Sequence, residues 1–238
     1  SVSPVEIGPQ AGSARRVKNI GLLAVNGALK KPQKAFRECV REFKPDLIHC
    51  HNVYNQLSPA ILSVVPDDIP VVMTAHDYKP VCPNYSLFTQ GSTCRRCLQL
   101  RSSYLNCIKH RCSHGKLLNS TLAAASAYYH DLKGTYQRHF DHFIAPSKFM
   151  GSALAEGGIP EDKITVINNF AAIPNEFSSP GKGILYTGRL CKEKGIDTVI
   201  KSYARLQGER PPLRIAGDGP LGDELKALTK SLGLSKDV

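Results

Sequence analysis

Two kinds of apolar pattern alternate along this chain. Short unbroken runs rich in Ile, Val and Leu read as buried strands. Longer stretches whose apolar residues recur every three or four positions read as amphipathic helices. Ala35, Phe36, Cys39, Val40 and Phe43 mark a helix that stops before Pro45. Residues 46–52 predict a buried strand running into a polar loop, and 57–65 a helix closed by the turn Asp67-Asp68-Ile69-Pro70. Residues 71–75 predict a second strand, ending in His76-Asp77-Tyr78. A long helix is predicted over 117–136, with Leu118, Leu122, Ala125, Tyr129 and Leu132 facing inward. His142–Ala145 predicts a strand, Ser147 the N-cap of a helix reaching about residue 156, and 164–167 a further strand.

The clearest unit lies at the end. Ile184–Thr187 is a β-prone run that breaks into a loop with Gly188 and Gly195 at its ends. Ile196, Val199, Ile200, Tyr203 and Ala204 then recur at helical spacing, Pro211 and Pro212 stop that helix, and Leu213–Ala216 is the next strand. Gly217-Asp218-Gly219-Pro220 is a tight turn, after which Leu221, Leu225, Leu228 and Leu232 open another helix. Strand, helix and strand in this order form a βαβ unit, which places both loops at the carboxyl edge of the sheet, where open α/β sheets bind ligands. The stretch 169–182, rich in Asn, Ser, Pro and Gly, is the linker candidate. The fold class predicted is therefore α/β, with two Rossmann-like halves. Residues 1–168 form one half, carrying a Cys-rich insertion over 81–114, and residues 183–238 the other. Residues 1–19 show no clear period and read as an irregular lead-in.

Composition narrows the class without choosing the chemistry. At 238 residues and 42% hydrophobic content the chain is globular. No apolar run approaches the roughly 18 residues needed to span a bilayer. The N-terminus has neither a basic nor an apolar signal region and no initiator Met, so the chain is expected to begin mid-protein. The net charge of +11 suits anionic donors, an anionic membrane face or nucleic acid, and equally an ordinary solvated surface.

Three groups of residues carry candidate chemistry. Gly188 and Gly195 let the backbone approach an anion, the following helix N-terminus offers unpaired N–H groups, and Arg189 and Lys194 add two cations. That combination suits a diphosphate; the alternative is a βα loop with solvated basic residues. His49, His51 and His76 stand at strand ends, as catalytic groups or simply as polar ones. Of the eight cysteines, Cys82, Cys94, Cys97, Cys107 and Cys112 lie in the insertion. The Cys94-Arg95-Arg96-Cys97 spacing can present two thiolates to a tetrahedral metal, with Cys82 and Cys112 (or Cys107) completing the set. Structural zinc is the favoured ion, an iron–sulfur cluster uses the same thiolates, and free thiols are the alternative. Disulfides are not expected without an export signal. Cys39, Cys50 and Cys191 read as packing residues.

Gly188-Arg189-Leu190, then Glu193-Lys194-Gly195, a helix, a strand and Gly217-Asp218-Gly219-Pro220 together resemble the donor-binding half of a GT-B glycosyltransferase. The closer likeness is to the retaining group 1, family 4 type. Pro45 to Asn52 and Thr74-Ala75-His76-Asp77 resemble the strand ends of that family's acceptor domain. The pattern HDYKPVCPNY, CRRC and HRC is similar to a bacterial polysaccharide-synthesis subgroup.

The resemblance implies a hexosyltransferase that moves a sugar from a UDP- or GDP-sugar to a glycan or lipid-linked acceptor, with retention, at the cytoplasmic face of the membrane. Arg189 and Lys194 would grip the donor diphosphate. Gly188, Gly217, Asp218 and Gly219 would lie near the nucleotide, and His76 beside the transferred sugar. The family's opening Gly-rich loop has no match in residues 1–30, and its late loop with two glutamates would follow Val238. The chain is thus expected to be the middle of the enzyme, with both halves incomplete. Two other classes remain: a metal-stapled nucleic-acid binder and another Rossmann enzyme. Sparse aromatic residues count against the first, and the lack of Gly-x-Gly-x-x-Gly after any strand counts against a dinucleotide-binding version of the second.

Overall fold

A computed structural model describes residues 30–54, 58–98, 101–171 and 181–238. The expected lead-in and most of the expected linker lie outside these residues. The chain divides into two units, Ser1–Phe170 and Ala171–Val238.

In the first unit the described residues begin with helix α1 (Lys30–Phe43) and strand β1 (Ile48–His51). The expected helix over 57–65 is instead a 3-10 helix, Pro59–Val64, started by Ser58, whose hydroxyl accepts the Ala60 N–H, with Pro59 at its first position. Strand β2 (Val71–Thr74) follows. The Cys-rich segment holds a two-residue hairpin, β3 (Phe88–Thr89) with β4 (Ser92–Thr93), then a 3-10 turn (Arg101–Tyr104) and the short helix α2 (Leu105–Lys109). Helices α3 (Leu117–Leu132) and α4 (Thr135–His139) come next, then β5 (His142–Ala145), α5 (Lys148–Glu156) and β6 (Ile164–Val166). The strand order is β1-β2-β5-β6, parallel throughout. Met73, Ala75, Phe143 and Ala145 line one side of this sheet and, with Leu62, Phe140 and Leu154, form its core.

The stretch expected to be one helix over 117–136 is two. Gly134 adopts the left-handed conformation, closes α3 and caps α4. The inward face also differs: Ser120, Ala124 and His130 are buried, whereas Leu118 is 69% and Leu132 73% exposed. Small residues occupy this face because α3 packs against α2 and the Cys-rich segment, where Cys97, Tyr104, Cys107 and Ala124 make a satellite core.

The second unit contains β7 (Ile184–Thr187), a 3-10 turn (Lys192–Lys194), α6 (Ile196–Ala204), β8 (Leu213–Ala216) and α7 (Gly222–Ser231). β7 and β8 pair in parallel, with Ile184 opposite Leu213 and Thr187 opposite Ala216. Ile196, Ile200, Tyr203, Leu213, Leu225 and Leu234 form a separate core. Leu234, not Leu232, finishes that core. Gly233 turns left-handed after α7, and the Leu234 N–H reaches back to the Thr229 carbonyl.

Candidate active site

Strand alternation sets the chemistry of the first edge. Along β1, Ile48 and Cys50 turn toward the core while His49 and His51 take the other face. The parallel register sets His51 beside Thr74, so Thr74 and His76 continue that same face on β2 and its extension. Two diagonal contacts result. His49 Nε2 lies 2.8 Å from Thr74 Oγ1, and His51 Nδ1 lies 2.7 Å from His76 Nε2. The rings of His49 and His51 are 4.2 Å apart between centroids, and those of His51 and His76 are stacked at 5.1 Å. Desolvation, then repulsion from His49 and His76, pushes the His51 ring below its ordinary pKa.

Asp77 follows at once. Its carboxylate accepts the Lys79 N–H at 2.9 Å, yet burial raises its pKa above the usual carboxylate value. The Lys79 ammonium donates to the Pro83 carbonyl at 2.9 Å, and burial lowers its pKa.

The second edge is made by backbone. The Gly188 N–H extends the β-ladder to the Ala216 carbonyl, and the Leu190 N–H bonds the Asp218 carbonyl at 2.9 Å. The Leu221 N–H then returns to the Leu190 carbonyl at 3.0 Å. The Asp218 carboxylate accepts the Gly219 N–H at 2.7 Å, closing the tight turn. A Cβ on Gly217 would overlap the Gly188 carbonyl oxygen, and one on Gly219 the Leu190 carbonyl oxygen. These glycines therefore exist so that two main chains can touch. Gly195 is left-handed and delivers the chain into α6. Arg189 and Lys194 are exposed on the loop so held, with Glu193 between them in sequence. Glu193 is held below the usual carboxylate pKa by its own N–H and the Cys191 thiol, with Arg189 and Lys194 adding to the effect. Gly188, Arg189, Lys194, Gly217, Asp218 and Gly219 are thus brought together on the second unit, while His76 stands on the first.

The five cysteines of the insertion are gathered in one place. Cys82, Cys94, Cys97, Cys107 and Cys112 line one small cavity with Leu87 and Phe88. Among the described residues, however, no three His, Cys, Asp or Glu side chains are placed to hold a metal ion. The expected zinc set of Cys82, Cys94, Cys97 and Cys112 is therefore not supported. Two of the thiols have polar contacts: Cys97 Sγ donates to the Ser103 carbonyl at 3.4 Å, and an Arg96 guanidinium nitrogen lies 3.6 Å from Cys94 Sγ. Burial, aided by the neighbouring thiols, pushes Cys97 and Cys107 up to about 12, which keeps them protonated at neutral pH. A Schellman turn at the end of α2 brings Cys112 back beside Cys107: Arg111 is left-handed, and the Cys112 N–H bonds the Cys107 carbonyl at 3.0 Å. Cys50 and Cys191 are buried, as expected of packing residues.

The family model of Glycosyltransferase Family 4 matches residues 11–172, more than half of the chain. The chain belongs to glycosyltransferase family 4. Residues 171–238 match a second model, glycosyl transferases group 1. No curated protein matches this family 4 chain.

Among solved structures, it is similar to Alr3699/HepE of Anabaena in complex with UDP. The likeness has 17% identity and a TM-score of 0.50, over 90% of this chain and 53% of that one. The same protein with UDP-glucose gives 16% identity and 0.50, over 87% and 50%. The apo lipopolysaccharide outer core galactosyltransferase WaaB gives 19% identity and 0.47, over 87% and 46%. The chain spans about half the length of these proteins. At such identities the HepE likeness shows the fold: the α/β, Rossmann-like halves of the GT-B glycosyltransferases. No helix among the described residues is long and apolar enough to cross a membrane.

The contact between His51 and His76 was not evident in the sequence. Its only signal is the spacing of two, His49 to His51 and Thr74 to His76, at the ends of neighbouring strands.

Proposed function

We propose that this family 4 chain contributes the acceptor-side unit and the diphosphate-binding loop of an enzyme that transfers a hexose from a UDP- or GDP-sugar. The observation that carries the reading is the glycine-locked loop, which holds Arg189 and Lys194 exposed at a sheet edge ahead of the N-terminus of α6. In transfer the bond between the sugar's anomeric carbon and the diphosphate oxygen breaks, and negative charge grows on the departing diphosphate. Two cations carried on that held backbone and a helix N-terminus stabilise that charge, a contribution that is often the largest in catalysis. His76 contacts the transferred sugar from its strand end. The resemblance extends the proposal to retention of configuration. It also points to a glycan or lipid-linked acceptor at an anionic membrane face and to a role in bacterial surface-polysaccharide synthesis. The basic surface accords with both an anionic donor and that membrane face.

Calorimetry with UDP and GDP tests the donor loop on this chain, and UDP comes first because the HepE structures hold it. One nucleotide should bind, and Arg189→Ala should abolish the binding. In the complete enzyme Arg189→Ala should lower kcat by about 100-fold or more, the scale of losing one group that stabilises the developing charge. Unchanged turnover in that variant would overturn the assignment.

A further inference from the structure

Two histidine rings at the edge of the first sheet share one hydrogen bond, and the proposed function uses only one of them. His51 Nδ1 and His76 Nε2 are 2.7 Å apart, which is hydrogen-bond distance. A neutral imidazole has one N–H and one lone pair, so one ring must donate and the other accept. Two fully protonated rings cannot make this contact, since both facing nitrogens would carry hydrogen. The arrangement therefore holds one proton between the rings. It also occupies Nε2 of His76, leaving Nδ1 as its only ring nitrogen free to meet a ligand.

We propose that His51 is a positioning residue for His76: it occupies Nε2, orients the ring by stacking, and offers Nδ1 to a sugar hydroxyl. The functional half of this rests on the reading that His76 contacts the transferred sugar; the coupling of the rings does not. Several features support it. The rings stack at 5.1 Å with an interplanar angle of 27°, so His51 constrains the tilt of His76 as well as its nitrogen. His49 braces His51 from the other side at 4.2 Å and is itself tied to Thr74. The four side chains thus form a short ladder along one face, fixed by the β1–β2 register.

The titratable groups facing the pair are His49 on β1 and Asp77 on the loop after β2. His49, when charged, opposes protonation of the pair. Asp77, when ionised, favours it. The first added proton goes to the outer nitrogen of the donor ring and keeps the shared bond, whereas the second must break it, so the two rings take up protons as one unit.

Imidazole 15N spectra of this chain against pH read the coupling directly. In the wild type, the His51 and His76 signals should change together as pH falls, because the two rings share one bond. In His51→Ala, which removes the partner of His76 Nε2, the His76 ring-nitrogen shifts should move away from their wild-type values. His51→Asn, which can still offer a side-chain partner near Nδ1, should hold the His76 ring nitrogens closer to their wild-type shifts. Both residues are exposed, so the amide spectrum should stay that of a folded chain. A His76 curve that is the same with and without His51 would overturn the coupling.

In the complete enzyme, His51→Ala should shift the acid limb of the kcat profile and leave the donor KM unchanged. A merely structural role would lower kcat at every pH without moving that limb. Coupled rings with an unmoved limb would overturn the placement of His76 at the sugar while leaving the ring pair standing.

Discussion

At the edge of the first sheet, side chains make the contacts: His49, His51, Thr74 and His76 stand on strands whose other face is packed into a core. At the edge of the second, the main chain does the shaping, and the loops 188–190 and 217–221 are joined by hydrogen bonds with no room for a Cβ between them. The first edge can exchange side chains and keep its backbone. The second can lose its cations and keep its shape, but it cannot gain a methyl group at Gly217. The two edges should therefore fail in different ways.

The largest difference should come from Gly217→Ala. Its Cβ meets the Gly188 carbonyl oxygen, a backbone atom that can move only if the two loops part. Loss of that junction frees Gly188, Leu190 and Leu221 from their partners together. The cost should reach about 4 kcal/mol or more, the range kept for a named steric conflict. Hydrogen exchange followed by mass spectrometry is the measurement. Amides of β7 and β8 should lose protection while those of β1, β2, β5 and β6 keep theirs. Wild-type protection across β7 and β8 would show that the loops can part cheaply and that the second edge does not depend on its main-chain junction.

Acid should have the opposite bias, because all eight histidines lie in the first unit. His130 is buried, with its ring nitrogens near Ser58 Oγ (3.4 Å) and Thr135 Oγ1 (3.2 Å). Burial, aided by Lys79, lowers its pKa from 6.5 to about 4. Between those values the unfolded chain binds a proton that the folded chain refuses. Stability is thus full above about pH 6.5 and falls as pH drops toward 4. The loss approaches about 3 kcal/mol, at 1.36 kcal/mol for each unit of separation. His51 and His139, also lowered, act in the same direction. Urea unfolding at pH 7.5 and pH 5, followed by exchange in each unit, should show β1–β6 weakening more than β7 and β8. Equal weakening in both units would assign the effect to the carboxylates instead.

What could be read from the sequence follows the same division. β5, β7 and β8 have the bounds expected of them, because short apolar runs between turn residues leave little choice. The glycine loops were legible since only glycine meets their need, and that need is written in the residue itself. The face of α3 was misread because hydrophobicity pointed to Leu118 and Leu132, whereas close packing against α2 selected Ser120 and Ala124. The His51–His76 contact depends on the register of two strands, and the sequence separation of 25 residues carries no sign of it. The cysteine spacing predicted a zinc set of Cys82, Cys94, Cys97 and Cys112, which the structure gathers at one cavity without supporting the metal. It could not say that Ser103 and Arg96 would engage two of them, or that α2 would end so as to bring Cys112 back beside Cys107.

The smallest contrast is in how two helices start, α5 of the first unit and α6 of the second. In the first unit, Ser147 takes an extended backbone and its Oγ accepts the Met150 N–H at 3.1 Å, starting α5 with a side chain. In the second, α6 has no side-chain cap; Gly195 starts it by turning left-handed, with φ of 63° and nothing within 4 Å of a Cβ placed there. Ser147→Ala should cost about 1 kcal/mol by leaving a helix N–H without its partner, and Ser147→Asp should recover most of that. Gly195→Ala should cost about 1–2 kcal/mol through backbone strain alone, with Asn tolerated better than Ala because it enters the left-handed region more readily. The two rescues should not exchange: Asn helps at 195 by its backbone, and Asp at 147 by its oxygen. Chemical denaturation of the four variants settles the matter. If Gly195→Ala matched the wild type, α6 would tolerate a different entry, and a strict backbone requirement would apply only where the two loops touch.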